Sequence, residues 1–194
     1  MNWMSKLAMR GRGWVRKLVL ASSGIRVAPS TSVWLQNGAK LSCATRVVVG
    51  RNGNISLGKH SVMQLGRGSI VMQGCEISVG PHARITVGSG VYIGAYSNLR
   101  CSGEISIGNN VRIAQFVSII DANYDHSGID GKLGVLVPKK VAIGANTVIG
   151  AQSVLLPGIV IGEGTVIGAG SVVTKSVPPH EIWAGNPARL IVAK

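Results

Sequence analysis

From Val141 onward the chain carries an aliphatic residue at one fixed place in every six. Set out in sixes the stretch reads VAIGAN, TVIGAQ, SVLLPG, IVIGEG, TVIGAG, SVVTKS, with Ile143, Ile149, Leu155, Ile161, Ile167 and Val173 in third place. Gly144, Gly150, Gly162 and Gly168 follow four of them, and Thr147, Ser153, Thr165 and Ser171 supply small hydroxylic side chains in first place. This period predicts a short strand with one inward aliphatic residue, then a tight glycine-assisted turn. Three such faces close a triangular coil of about 18 residues, and successive coils stack through parallel ladders ~4.8 Å apart. The expected fold class is therefore all-β, a parallel β-helix.

Upstream the pattern continues with slippage. Val49-Gly50, Leu57-Gly58, Leu65-Gly66, Val79-Gly80, Val87-Gly88, Ile93-Gly94 and Ile107-Gly108 repeat the aliphatic-glycine pair, several at intervals of eight rather than six. The eights predict two-residue bulges at coil corners. The phase is clean through Ile113 and Ile119, then breaks from Asp121 to Lys140, a stretch rich in Asp, Gly and Lys. Such an interruption predicts a loop thrown out from one corner, of the kind that carries function. The β-helix is expected over residues 25–177, closed by Pro178-Pro179, with a short C-terminal tail over 178–194.

Residues 1–24 differ. Trp3, Leu7, Trp14 and Leu18 share one arc of a helical wheel and predict a short helical cap, although Arg10 falls in that arc and Gly11 and Gly13 oppose a helix. The competing reading is a basic, Trp-bearing arm touching anionic lipid.

Composition supports the narrow coil: 27 glycines, one Phe and 46% hydrophobic residues suit an aliphatic interior. The net charge of +13 raises nucleic acid as a partner. However, Lys6, Arg10, Arg12, Arg16 and Lys17 concentrate part of the charge at the N-terminus, and no zinc-finger, helix-turn-helix or RNP-like motif accompanies it. An anionic substrate, cofactor or membrane surface is the better expectation, with no nucleic acid. Cys43, Cys75 and Cys101 match neither a disulfide framework nor a zinc motif and are read as buried thiols. No apolar run approaches the ~18 residues of a membrane-spanning helix. Leu18 to Ala21 is too short for a signal-peptide core. The expected location is cytoplasmic.

Four histidines are candidates for chemistry. His60 and His82 follow aliphatic-glycine pairs at corners, and His180 follows Pro178-Pro179; all three read as structural. His126 lies inside the extruded loop. A neutral imidazole is suited to take a proton from an attacking hydroxyl near pH 7. Asp121, Asn123 and Asp125 are candidates to fix its tautomer, and the choice among them stays open. No cysteine falls in the loop, which disfavours a thiol nucleophile.

The hexads, the loop Asp-x-x-x-Asp-His-x-Gly ending at Gly128, and the stretch from Ile182 to Ile191 (IWAGNPARLI) together resemble the hexapeptide-repeat O-acetyltransferases. The likeness covers roughly residues 45–191. It includes the galactoside, maltose and nodulation-factor enzymes and those that acetylate capsular and exopolysaccharide sugars. The resemblance implies a left-handed coil, a homotrimer, acetyl-CoA as donor, no metal, and His126 as general base. It implies a cofactor path along Ala151, Gly168, Ala169 and Thr174, with Gly150 also allowing close approach, and Lys175 and Arg189 toward the coenzyme's phosphates. Asn98, Tyr96 and Tyr124 are the corresponding acceptor contacts. Ser127 follows the histidine where the galactoside and maltose enzymes carry Pro, and Tyr96 stands where they carry an acceptor-binding Asn. The expected acceptor is therefore a hydroxyl of a sugar in exopolysaccharide, capsule or lipopolysaccharide biosynthesis, with the basic N-terminus near a membrane.

Two other classes compete. A zinc carbonic anhydrase on the same solenoid would need three histidine ligands, and His60 and His82 stand 22 apart, not a multiple of 18 or 6. A non-catalytic scaffold is the other. Transfer to an amino group of a sugar nucleotide, or to serine, keeps the chemistry and changes the acceptor.

Overall fold

The computed structural model describes residues 26–125 and 134–193. The predicted N-terminal cap and His126 lie outside them. The described residues form a parallel β-solenoid of nine-, seven- and six-stranded sheets, plus one two-stranded antiparallel sheet. Nearest strands in each large sheet come from successive coils, as the repeat requires.

The eight-residue intervals have a different cause from the one expected. On the seven- and six-stranded faces of the early coils the strands are four residues long, as in Asn54–Leu57 and Val62–Leu65, whereas the nine-stranded face uses pairs such as Val48–Val49. A strand alternates its side chains with period two, so two added residues keep the phase and bring a second inward residue. Ile55 and Leu57 are both buried after the buried turn residue Gly53, whereas a six-residue face buries only two positions, such as Thr147 and Ile149. The expected corner bulges are thus lengthened strands. Ladder partners stand 22 positions apart at first (Arg26↔Val48), then 20 (Tyr92↔Arg112), then 18 (Val148↔Val166), so the coil narrows toward the C-terminus.

Inside, the ladder stacks aliphatic side chains into columns. One runs Val33, Ile55, Ile77, Leu99, Ile119, Leu155 and Val173, all at most 5% exposed. Each fully buried Ile or Leu contributes about 1.5–3 kcal/mol. The hydroxylic first place of the hexad has its own use. Ser153, Thr165 and Ser171 are fully buried where the chain turns, and their hydroxyls donate to the carbonyls of Gly168 (3.0 Å), Pro178 (2.8 Å) and Gly168 (2.6 Å). A buried corner carbonyl left unpaired would be costly.

The solenoid runs one rung past Pro178-Pro179. Glu181–Gly185 pairs in parallel with Val166–Ile167, and Ala188–Ala193 then folds back antiparallel along it. The end of the nine-stranded sheet is thereby covered by a hairpin.

Candidate active site

The interruption from Asp121 to Lys140 leaves the corner between the seven- and six-stranded faces as a β-hairpin arm. Ala122–Tyr124 pairs antiparallel with Leu136–Pro138, and the Asp125 amide donates to the Val135 carbonyl at 2.9 Å. Asn123, Tyr124 and Asp125 are exposed along this stem. His126 follows Asp125 directly in the chain.

Asp121 roots the arm and is fully buried. It occupies the inward phase after Ile119, one rung beyond Cys101, so a carboxylate ends a column of aliphatic side chains. Its Oδ1 accepts from the Ser102 amide at 2.7 Å and its Oδ2 from the Gly103 amide at 2.8 Å. The Cys101 thiol also lies 3.3 Å from Oδ2. This is possible because the corner at Ser102-Gly103 holds two residues where the preceding coils have four, as between Val79 and Arg84. The Asp121 carbonyl accepts from the Lys139 amide at 2.6 Å, closing the far side of the root. A Cβ on Gly103 would stand 2.8 Å from the Pro138 ring, so the arm packs against the bare glycine. Lys140 adds an exposed ion pair with Glu104 at 2.7 Å, worth about 0–1 kcal/mol. Burial pushes the Cys101 thiol up to about 12, helped by the charge and the hydrogen bond of Asp121. It remains a neutral thiol at physiological pH.

The other candidates frame the seven-stranded face from its two edges. On one edge, at the turn from the nine- to the seven-stranded sheet, lie Tyr96, Ala151 and Ala169. Ala151 and Ala169 stand in adjacent rungs, the Ala151 carbonyl accepting from the Gly170 amide at 2.8 Å. Tyr96 stacks on Phe116, ring centroids 5.4 Å apart and planes 11° from parallel, with both rings more than half exposed. Both residues turn the corner at positive φ (59° and 58°), which is uncommon for aromatic side chains. Phe116 was not singled out by the sequence, since it stands outside the inward phase. Asn98 opens the strand Asn98–Cys101 nearby, its amide 3.4 Å from Glu76.

On the other edge are the arm and, in the last coil, Thr174 and Lys175, both exposed. Arg189 lies on the closing hairpin of the nine-stranded sheet, opposite Ala184, with Nη1 donating to its neighbour's carbonyl at 2.9 Å. Gly150 and Gly168 are required by packing. A Cβ at Gly150 would meet the Ala169 backbone, and one at Gly168 would come within 2.7 Å of the Ala184 methyl. Beside Gly150 the nine-stranded face has a shallow depression of about 290 Å³ bounded by Tyr92, Arg112, Gln115 and Val148.

His60 and His82 need a correction. Their spacing of 22 equals the coil length in this region, so they stack one above the other at the corner, ring centroids 5.3 Å apart. Both are exposed and take positive φ. Among the described residues no three His, Cys, Asp or Glu side chains gather as metal ligands.

Comparison with known proteins agrees with this architecture. A profile of the bacterial transferase hexapeptide (six repeats) family matches residues 140–175. A Dictyostelium discoideum protein described as an acetyltransferase is 37% identical over 124 residues, covering 61% of this chain and 65% of that protein. The match therefore spans less than two-thirds of that relative's length. A crystal structure of a variant of AntD, an N-acyltransferase from Bacillus cereus in complex with dTDP and coenzyme A, superposes with a TM-score of 0.67. It is 26% identical and covers 80% of this chain and 84% of its own. The polySia-specific acetyltransferase NeuO shares the fold, with a TM-score of 0.56 at 22% identity over 87% of this chain and 86% of its own. By its repeat, its solenoid and these likenesses, the chain is similar to the hexapeptide-repeat acetyltransferases.

Proposed function

We propose that this chain transfers an acetyl group from acetyl-CoA to a sugar hydroxyl, in the assembly of an exopolysaccharide, capsule or lipopolysaccharide, with His126 as general base. The observation that carries the reading is the rooted arm: an interruption of a regular solenoid, anchored by a buried carboxylate, whose described stem reaches Asp125, the residue before His126 in the chain. The neutral imidazole takes the hydroxyl proton as the oxygen attacks the thioester carbonyl. The tetrahedral intermediate then collapses, the C–S bond breaks, and the leaving thiolate is protonated by the imidazolium. No acyl-enzyme forms. Asp121 has both carboxylate oxygens engaged by backbone amides. Orientation of the imidazole therefore falls to Asn123 or Asp125.

The coenzyme is bound as a substrate along Ala151, Gly168 and Ala169, with Thr174, Lys175 and Arg189 around it. The depression beside Gly150 supports this path, since Arg112 at its rim offers a guanidinium to phosphate. Tyr96, Asn98 and Tyr124 contact the acceptor. The working unit is a homotrimer. Its support is the outward column of the nine-stranded face, where Val48, Ile70, Tyr92, Val148 and Val166 line up with Arg112 as the polar interruption. Val48 and Val148 are 36% and 40% exposed, and a second copy would cover them. We place the enzyme in the cytoplasm, with the basic N-terminus able to touch the inner face of the membrane. No helix among the described residues is long and apolar enough to cross a membrane.

One observation favours a second reading, transfer to an amino group of a sugar nucleotide: the likeness to the Bacillus cereus N-acyltransferase. The test is acetyl transfer from acetyl-CoA to a panel of neutral and acidic saccharides beside a dTDP-linked amino sugar. Ester formation on a saccharide supports the proposal; amide formation alone moves the assignment to the second reading. No transfer to either removes both.

A further inference from the structure

The lengthened strands have an outer as well as an inner consequence. On the seven-stranded face each four-residue strand exposes two outward side chains, so two columns run along the solenoid. One reads Ser32, Asn54, Glu76, Asn98, and the other reads Trp34, Ser56, Ser78, Arg100. The second has an indole at one end, a guanidinium at the other and two small hydroxyls between. The result is a groove of about 350 Å³ floored by Ser56 and Ser78, with Asn54 on one wall and Gln36, Gly58, Gly80 and Pro81 on the other.

We propose that this groove is a binding subsite for an uncharged stretch of glycan, which makes the acceptor a chain rather than a single sugar. The inference rests on the sugar-directed reading above and extends it to acceptor length. Three observations carry it. First, no charged side chain lines the groove. A phosphate-bearing ligand or acidic peptide would find no counter-charge there, whereas amides and hydroxyls match sugar hydroxyls as donors and acceptors. The Trp34 indole supplies a flat apolar surface for the C–H face of a pyranose.

Second, Asn54 Oδ1, on the wall of the groove, is buried without a hydrogen-bond donor among the described residues. An unpaired buried acceptor is unfavourable, and turning this amide about its last bond would present that oxygen to a hydroxyl in the groove. Third, the groove leads to the chemistry. Arg100 pairs in register with Ile120, and Asp121 at the root of the arm follows. From the rung of Trp34 to that of Ile120 is four ladder steps, or roughly 19 Å. A short oligosaccharide held by Trp34 would therefore place its other end at the arm.

Binding of the full chain, without donor, to an array of neutral and acidic glycans tests the subsite. Wild type is compared with Trp34→Ala and with Ser56→Trp, which fills the floor; thermal melting verifies that both variants are folded. The expected result is binding to neutral glycans of several residues, weakened about tenfold or more in both variants. No binding to any neutral glycan, or binding untouched by both substitutions, overturns the subsite. Acetyl transfer measured in parallel separates the two proposals. If glycan binding follows the variants but no sugar is acetylated, the groove stands and the sugar-directed transfer falls. If a sugar is acetylated with a KM independent of acceptor length and unaffected by either variant, the transfer stands and the groove falls.

Discussion

Asp121 is the residue on which the arm depends, and its surroundings define what replacing it should do. Asp121→Ala leaves the Ser102 and Gly103 amides unpaired in a half-buried corner, a loss of about 1–3 kcal/mol. Urea unfolding should register that loss. Proteolysis of the native protein should in addition cut the arm faster than wild type, because its root is loosened. Cys101 yields a test of sign. Its folded-state value is raised from 9.0 to about 12 by burial first and by Asp121 second. The proton is thus held more tightly in the folded chain, and the associated stability is complete below pH 9 and is lost as pH rises from 9 toward 12. Wild type should lose stability across that window more steeply than Cys101→Ala. Parallel slopes in thermal melts would contradict the assignment.

Strands and corners show how far a pattern can be read. The six-residue phase from Val141 was legible because every face of a narrow coil points its third place inward, and Ile149 and Leu155 fall where the period puts them. The hydroxylic first place was visible as a pattern, while its use in satisfying corner carbonyls depends, for Ser153 and Thr165, on neighbours from other coils. The eights of the N-terminal half were visible and misassigned. Alternation with period two makes a longer strand and a corner bulge look alike along one chain, and ladder partners distinguish them. The same ambiguity concealed the stacking of His60 on His82. Asp121 could have been read as buried, since it sits two residues after Ile119 in the inward phase; the amides that receive it could not, because they belong to another coil. The regularity also predicts a cost. Ile149→Ala opens a cavity between rungs and should destabilise by about 2–5 kcal/mol in denaturant titration. A smaller effect than that of exposed Val160→Ala would contradict the column packing.

For the whole molecule, the proposed trimer places the apolar outward column of the nine-stranded face against a second copy, and the depression beside Gly150, bounded by Tyr92, Arg112 and Val148 of that column, then lies in the seam. Val148→Asp puts a carboxylate into that column without touching the interior, because Val148 points outward while Ile149 is buried. Light scattering should then report monomers where wild type gives trimers, with the melting of the solenoid little changed. A variant that remains trimeric moves the interface to another face.

The central claim is that the break in the repeat, not the repeat itself, performs the chemistry. Its most direct test is the rate of acetyl transfer by His126→Ala, measured beside its affinity for coenzyme A. The rate should fall by about 10²-fold or more, with unchanged coenzyme binding and an intact solenoid. Turnover close to wild type in that variant would contradict it.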